Sequence, residues 1–383
     1  MRSLCADREP ARHPYRAETA QREARYLALQ GDAGCDAAVV GGGLAGLSAA
    51  TALADLGASV CLLEARQVGF GASGRNGGQA IHRAVCAQSA IERQLGMAEA
   101  RRAFDMSVAA LDLIRARCAR FAIACGWGNG YLGEATSAAK ARALRAGADH
   151  LVQAFGYPMQ PIAAADRPNS INSLRFPAAE DDPRSGHLHP RPYALRLARA
   201  AARLGVTIHE RNAASAIAPA ASPAVSAGAR PSLHTAQCRF SARLVLLTGH
   251  TYLQGRAPLY STATPGELAD SLRQRMARRA PQRVGTAISQ AWGGFVDLSM
   301  DRAPDFRRRS DAPKVNYLLG FTGHGRALTG VAGQLVAEVM AGDSQRFDVF
   351  ARLRHRPFPG DRWLRTPALV LGMAWYRMKD ALA

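Results

Sequence analysis

Residues 39–65, VVGGGLAGLSAATALADLGASVCLLEA, constrain the fold more than any other part of the chain. An apolar run, Ala37 to Val40, meets Gly41, Gly42, Gly43 and Gly46, and apolar residues then recur at helical spacing from Leu47 to Leu56. This order predicts a strand, a tight turn and a helix. Gly41 permits the turn, Gly43 lets the backbone approach a pyrophosphate, and Gly46 lets the helix lie close on the strand. The helix start then faces an anion, an arrangement worth up to about 2 kcal/mol to a negative charge. After Gly57, SVCLLE predicts a second buried strand ending in Glu64, near the spacing of about 20 residues expected for a carboxylate that accepts ribose hydroxyls. The pattern implies a dinucleotide site in an α/β fold and fits NAD and FAD equally well.

A chain of 383 residues suggests two or three domains at about 150 residues each. Its 48% hydrophobic content excludes a disordered chain. MRSLCADREPARHPYR holds no apolar run of the signal-peptide kind, and no stretch reaches the ~20 apolar residues of a membrane span. A cytoplasmic location without a transmembrane segment is the expectation. Cysteines at 5, 35, 61, 86, 118, 125 and 238 form no CxxC pair, so free thiols are expected rather than zinc ligands or a disulfide framework. His187 and His189 have no carboxylate or cysteine cluster beside them; they read as structural, and no metal is expected. The formal charge of +19 is carried by arginines dispersed along the chain, with lysine only at 140, 314 and 379. The denser runs, Arg273 to Arg279 and Arg307 to Ser310, lack interleaved aromatics for base stacking, so no nucleic-acid partner is expected.

GFGASGRNGGQ, from Gly69 to Gln79, distinguishes the cofactors. An NAD fold has no use for a second glycine cluster just after the ribose acid, whereas a larger cofactor does. Here the chain resembles the FAD-dependent amine oxidoreductases of the D-amino-acid oxidase superfamily, particularly the gamma-glutamylputrescine oxidase-like branch. Three later segments extend the resemblance: Gly186 to Glu210, a helix and an outer strand; Ala242 to His250, an apolar strand ending at a glycine; and Ala291 to Phe306 followed by Asn316 to Gly342. In the last, Tyr317 to Leu319 predicts a short strand, Gly323 to Gly325 a loop and Thr329 to Met340 a helix, whose start would face the flavin pyrimidine edge. The resemblance implies an FAD site formed by Gly41, Gly43, Gly46, Glu64, Ala65, Arg66, Ser73, Gly74, Arg75, Asn76, Gly77, Gly78, Gln79, Gly249, Gly323, His324 and Gly325. Arg75 reads either as a flavin or phosphate contact or as a surface cation, Trp292 as core or substrate platform, and His324 as a flavin contact or an exposed turn residue.

The implied fold is a Rossmann-like FAD-binding domain interleaved with a reduced α+β substrate domain. Residues 35–85, 190–250 and 314–342 are assigned to the first and 86–185 and 256–312 to the second, with an N-terminal extension (1–34) and a tail (343–383) ending in a helix. Leu113 to Ile123 and Glu267 to Ala280 read as helices of the outer layer of the second domain, and Ile217 to Leu233 as a flexible loop. The implied reaction oxidises the C–N bond of a small-molecule amine by hydride transfer to flavin, the imine being hydrolysed and the flavin reoxidised by O2 or an electron acceptor. No protein base is assigned, and His324 and Trp292 are the candidates nearest the flavin. Some relatives bind flavin through a C-terminal cysteine; none follows Cys238, so FAD is expected to be non-covalent. The chain departs from the pattern between about Arg256 and Tyr260, where a block of substrate-domain strands is missing. Two readings follow, an active amine oxidoreductase and a catalytically impaired FAD-binding remnant; an NAD-dependent dehydrogenase is disfavoured by the second glycine cluster.

Overall fold

The computed structural model describes residues 24–84, 86–170, 176–218, 230–249, 301–323 and 325–356, with scattered positions between 270 and 300 and between 364 and 378. The strands, in chain order, are β1 (Ala33–Val40), β2 (Val60–Leu63), β3 (Gln79–Ala80), β4 (Gly128–Ala135), β5 (Gln160–Ile162), β6 (Ala178–His187), β7 (Thr207–His209), β8 (Ala216–Ala218), β9 (Ser232–His234), β10 (Arg239–Leu247), β11 (Asp305–Arg309) and β12 (Ala312–Leu319). The helices are α1 (Leu44–Asp55), α2 (Ala72–Arg75), α3 (Gln88–Leu95), α4 (Met97–Arg120), α5 (Ala138–Phe155), α6 (Arg167–Ser170), α7 (Pro190–Arg203), α8 (Gly325–Met340) and α9 (Gln345–Ala351). They form two compact units, the first drawn from Met1–Gly128, Gly186–Pro258 and Trp292–Arg354, the second from Asn129–Ser185, Leu259–Ala291 and His355–Ala383.

The first unit is built on a sheet of order β11-β12-β10-β1-β2-β7. β12, β10, β1, β2 and β7 run parallel, and β11 pairs antiparallel at the edge. Alternate residues of the central strands enter opposite cores, as the two-residue period of a strand requires. Ala37, Val39, Val60, Leu62, Leu244 and Leu246 face the larger core, which α1, α4, α7 and α8 cover. Ala38, Val40, Cys61, Leu63 and Val245 face the smaller one.

That smaller core is closed by a β8–β9 arm, which pairs antiparallel with β10 along 239–241 while β12 takes the same edge along 245–247. The expected loop over Ile217 to Leu233 is therefore corrected at both ends. Ile217 and Leu233 pair with each other and pack into the core, Leu233 completely, so their apolar side chains override the polar composition around them. Residues 219–229 lie outside the described residues.

The helix expected over Leu113 to Ile123 is the end of the longer α4, and it belongs to the first unit rather than the second. Ala103, Phe104, Ala110, Leu111 and Ile114 form its buried face, and burying them beside α8 stabilises it more than an outer-layer position could. Near its end the Arg117 guanidinium is buried, donating to Ser48 Oγ of α1 at 2.8 Å, and Ser48 donates in turn to the Gly330 carbonyl of α8 at 2.6 Å. α1 and α8 touch closely at Gly333. Other arginines pair on the surface: Arg120 is bidentate to Asp55, with both contacts at 2.7 Å, and Arg352 meets Glu99 at 3.0 Å. Exposed pairs of this kind add at most about 1 kcal/mol each.

In the second unit α5 starts at Ser137, whose Oγ accepts the Lys140 N–H, and stops at Gly156 in the left-handed region (φ 66°). Ala141, Ala148, Leu151 and Phe155 are its buried positions. β5 pairs antiparallel with β6, and the Tyr157 hydroxyl donates to Asp182 at 2.7 Å. The far end of β6, at Gly186 and His187, lies in the first unit and pairs with β3. The helix expected over Glu267 to Ala280 and the terminal helix fall largely outside the described residues. Among the described residues, no helix is long and apolar enough to cross a membrane.

Candidate functional site

Because five strands run parallel, their C-terminal ends share one edge of the sheet. Predicted site residues follow four of those ends: Gly41, Gly43 and Gly46 after β1, Glu64 to Arg66 after β2, Gly249 after β10, and Gly323 and Gly325 after β12. The chain leaves β1 for β2 on one side and later returns to β10 on the other. Open α/β sheets take their ligands at such a reversal.

At the turn, Gly41 adopts φ +112°, and its N–H donates to the Leu63 carbonyl at 2.8 Å. A Cβ on Gly46 would lie 2.0 Å from the Gly41 oxygen, so this glycine sets how closely α1 approaches the strand. A Cβ on Gly43 would lie 2.9 Å from Ser73 Oγ. The bare Gly43 thus admits the Ser73 hydroxyl, which accepts the Leu44 N–H at 2.9 Å at the helix start. No acidic residue stands in the first turn of α1, so the positive end of the helix keeps its attraction for an anion.

Glu64 lies across from this turn. Its two oxygens accept N–H groups from Gly42 (2.6 Å) and Arg66 (2.8 Å), and a carboxylate has lone pairs left for hydroxyl donors. Burial, the largest influence, raises this carboxyl above the usual range, while the two N–H groups oppose the shift. Ala65 and Arg66 are exposed beyond it. The end of β7 braces the loop: Glu64 N–H donates to His209 O, Asn212 N–H to Glu64 O, Arg211 N–H to Arg66 O, and Glu210 Oε1 accepts Val68 N–H at 2.8 Å.

Within the GASGRNGGQ segment, Ala72–Arg75 form a helical turn, α2. A Cβ on Gly74 would lie 2.2 Å from the Gly69 carbonyl oxygen, so the turn closes tightly on itself. Arg75 is buried; its Nε donates to the Phe70 carbonyl at 2.9 Å and its guanidinium lies 4.9 Å from the Phe70 ring. The surface-cation reading is thereby removed. Asn76 Nδ2 donates to the Ala72 and Ser73 carbonyls, ending the turn, and its Oδ1 accepts the Gly78 N–H. Gly77 follows, and Gln79 opens β3 opposite His187.

Gly325 is the first residue of α8, so that helix begins four residues before its expected start at Thr329. Beside it Thr322 has φ 49°, a conformation costly for a β-branched residue. Its N–H donates to the Asp297 carbonyl and its hydroxyl to Gly320 O, while Asp297 Oδ2 accepts the Gly320 N–H at 2.8 Å. Such strain is held only where surroundings enforce it, and it clusters at working sites. Gly323 also has a positive φ of 89°. Thr248 Oγ1 joins the β1 and β10 ends by donating to Val40 O and Gly41 O. Sequence reasoning missed Asp297, Thr322, Thr248 and Glu210, whose partners are distant in the chain. His324 and Trp292 lie outside the described residues. The His187 ring covers Gly128, and His189 N–H donates to Cys125 O at 2.7 Å.

The segments at this edge coincide with a match to the model of the DAO family, FAD dependent oxidoreductase, over residues 36–249 and 221–339. The chain belongs to this family of FAD dependent oxidoreductases. Among its relatives is the gamma-glutamylputrescine oxidoreductase of Escherichia coli, 29% identical, with 96% of this chain and 98% of that protein covered. A probable oxidoreductase of Haemophilus influenzae is 30% identical over 90% of this chain and 92% of its own length. Glycine oxidase from Geobacillus kaustophilus shares the fold at a TM-score of 0.68 and 18% identity, with 84% of this chain and 99% of that one covered. L-proline dehydrogenase from P. horikoshii also shares it at 0.68, with 15% identity, 83% and 96% being covered. The E. coli alignment runs over 427 positions, more than the 383 residues of this oxidoreductase, so the relative carries segments with no counterpart here. The geometry fits the family's flavin dinucleotide: bare glycines at a helix start, a Ser73 hydroxyl beside them, and a carboxylate with open lone pairs at the next strand end.

Proposed function

We propose that this FAD dependent oxidoreductase oxidises the C–N bond of a small amine or amino acid, a gamma-glutamylputrescine-like amine being the first candidate. The observation that carries this reading is the meeting of the Gly41–Gly46 turn, Glu64 and the Ser73 turn, in a chain aligned along nearly its whole length with a gamma-glutamylputrescine oxidoreductase. Bound FAD supplies the two-electron acceptor for this oxidation. The start of α1 would attract the pyrophosphate, Glu64 would accept the ribose hydroxyls, and Ala65 and Arg66 would flank them. Ser73 to Gln79 would line the middle of the cofactor. Gly249, Gly323 and Gly325 would border the flavin end, where the start of α8 would favour negative charge, and the resemblance adds His324 to them. Non-covalent attachment predicts that acid precipitation releases all of the flavin into the supernatant.

Glu64→Ala is expected to weaken FAD binding about 10- to 100-fold, the worth of a hydrogen bond to a charged group being about 1.5–3 kcal/mol. Recovery of flavin fluorescence on dilution measures it, and an unchanged dissociation constant would remove Glu64 from the site.

Anaerobic addition of a panel of amines and amino acids tests the reaction. Bleaching of the flavin by one of them, gamma-glutamylputrescine first, is the expected result, and oxygen or an added dye then serves as acceptor in turnover. The alignment positions without counterpart favour one alternative, an FAD-binding protein that lacks part of its substrate domain. For that protein the flavin would stay oxidised with every amine.

A further inference from the structure

We propose that Cys118 and Cys125 form a redox-active dithiol that a hydroperoxide closes to an intramolecular disulfide. Their sulfurs lie 3.4 Å apart although six residues stand between them in the chain. The approach is built by the backbone. α4 ends two residues after Cys118, and the Phe121 and Ile123 N–H groups donate back to the Arg117 and Cys118 carbonyls, the latter at 2.9 Å. Ala122 and Gly126 turn the chain with φ of 51° and 62°, and His189 N–H holds the Cys125 carbonyl at 2.7 Å. A disulfide needs an S–S distance of about 2.05 Å, so the sulfurs have only roughly 1.4 Å to close.

The surroundings suit thiol chemistry. Cys118 is partly exposed and Cys125 buried. The hydrogen bond from the Cys118 thiol, with further help from the Trp127 N–H and from Arg196, pulls Cys125 down to about 7, whereas burial pushes Cys35 and Cys61 up to about 12 and Cys86 up to about 11. The same hydrogen bond, with burial, pushes the Cys118 thiol up, so thiolate is favoured on Cys125 while Cys118 keeps its proton. The thiolate attacks one peroxide oxygen; the O–O bond breaks, giving a sulfenic acid and hydroxide. The partner sulfur then attacks the sulfenic sulfur, forming S–S and breaking S–O, and its proton leaves with the departing oxygen. With hydrogen peroxide, two thiols and one peroxide give one disulfide and two waters, the sulfurs losing the two electrons that the peroxide gains.

The test uses the full-length protein treated with graded hydrogen peroxide, alkylated, digested with trypsin without reduction and mapped by mass spectrometry. Because Arg120 separates the two cysteines, the disulfide joins two tryptic peptides into a species lighter by two hydrogens. That species is expected at peroxide levels that leave Cys35 and Cys238 open to alkylation, and it should vanish on reduction with dithiothreitol. In Cys118→Ser, the joined species should be absent and Cys125 should stop at a sulfenic or sulfinic acid. The proposal is overturned if both cysteines of the unaltered chain stay alkylatable, if each is oxidised separately without linkage, or if either pairs with a different cysteine.

Discussion

Gly46→Ala is expected to lose FAD on gel filtration and to melt well below the parent protein. Its new methyl group would stand 2.0 Å from the Gly41 carbonyl oxygen, 2.8 Å from Thr248 Oγ1 and 3.1 Å from Val39 Cγ1. None of these neighbours can step aside cheaply. The Gly41 oxygen belongs to a turn fixed at φ +112°, Thr248 is tied to Val40 and Gly41, and Val39 is fully buried. Helix α1 must therefore lift from β1, disturbing the larger core and the turn that receives the pyrophosphate. Overpacking of this kind costs about 1–3 kcal/mol and sometimes more, and the contact with rigid backbone puts Gly46 at the upper end. Thermal denaturation and the flavin-to-protein absorbance ratio measure the two effects. A variant with unchanged melting and full flavin would contradict the close approach of α1 to the strand.

The second large effect belongs to the crossing of α1 and α8. A Cβ on Gly333 would lie 2.4 Å from the Ala49 backbone nitrogen and 2.6 Å from both the Ser48 carbonyl carbon and Ser48 Oγ. Gly333→Ala should therefore cost about 2–3 kcal/mol, which outweighs the gain of about 1 kcal/mol that alanine brings to a helix interior. One turn earlier, a Cβ on Gly330 meets only the tip of Leu113 at 3.2 Å and Arg117 at 3.7 Å. Flexible side-chain ends yield, so Gly330→Ala should stay within about 1 kcal/mol of the parent. Urea denaturation of the two variants compares them directly. Equal losses would mean that Gly333 does not set the spacing of the two helices. The same crossing carries the Arg117–Ser48–Gly330 hydrogen bonds, so its failure should also loosen the end of α4.

Features whose physics is local could be read from the chain. The β1–glycine–α1 unit was legible because a positive φ at Gly41 and a close approach at Gly46 require glycine whatever surrounds them. Glu64 was legible because the strand before it fixes where a carboxylate emerges. The outer strand after α7 and the apolar strand β10 were expected from the family resemblance of Gly186–Glu210 and Ala242–His250, and both are formed. Contacts between remote segments could not be read in this way. Arg117 has the look of a solvated helix position, yet its guanidinium is buried against Ser48, 69 residues away. Asp297 braces Gly320 across 23 residues, and Thr248 reaches Val40 across 208. Cys118 and Cys125 carry no recognisable spacing; a helix end and two turns bring them together. The α2 turn within GASGRNGGQ was hidden because glycine-rich composition says little about which residues will coil.

The most direct test of a flavin cradle formed by the Gly41–Gly46 turn, Glu64 and the Ser73 turn is the visible absorption spectrum of the purified protein, with the supernatant of its acid precipitate assayed for FAD. A yellow protein releasing about one FAD per chain is the predicted result, with much less flavin retained by Gly46→Ala and Glu64→Ala. A colourless protein that takes up no added FAD would contradict it.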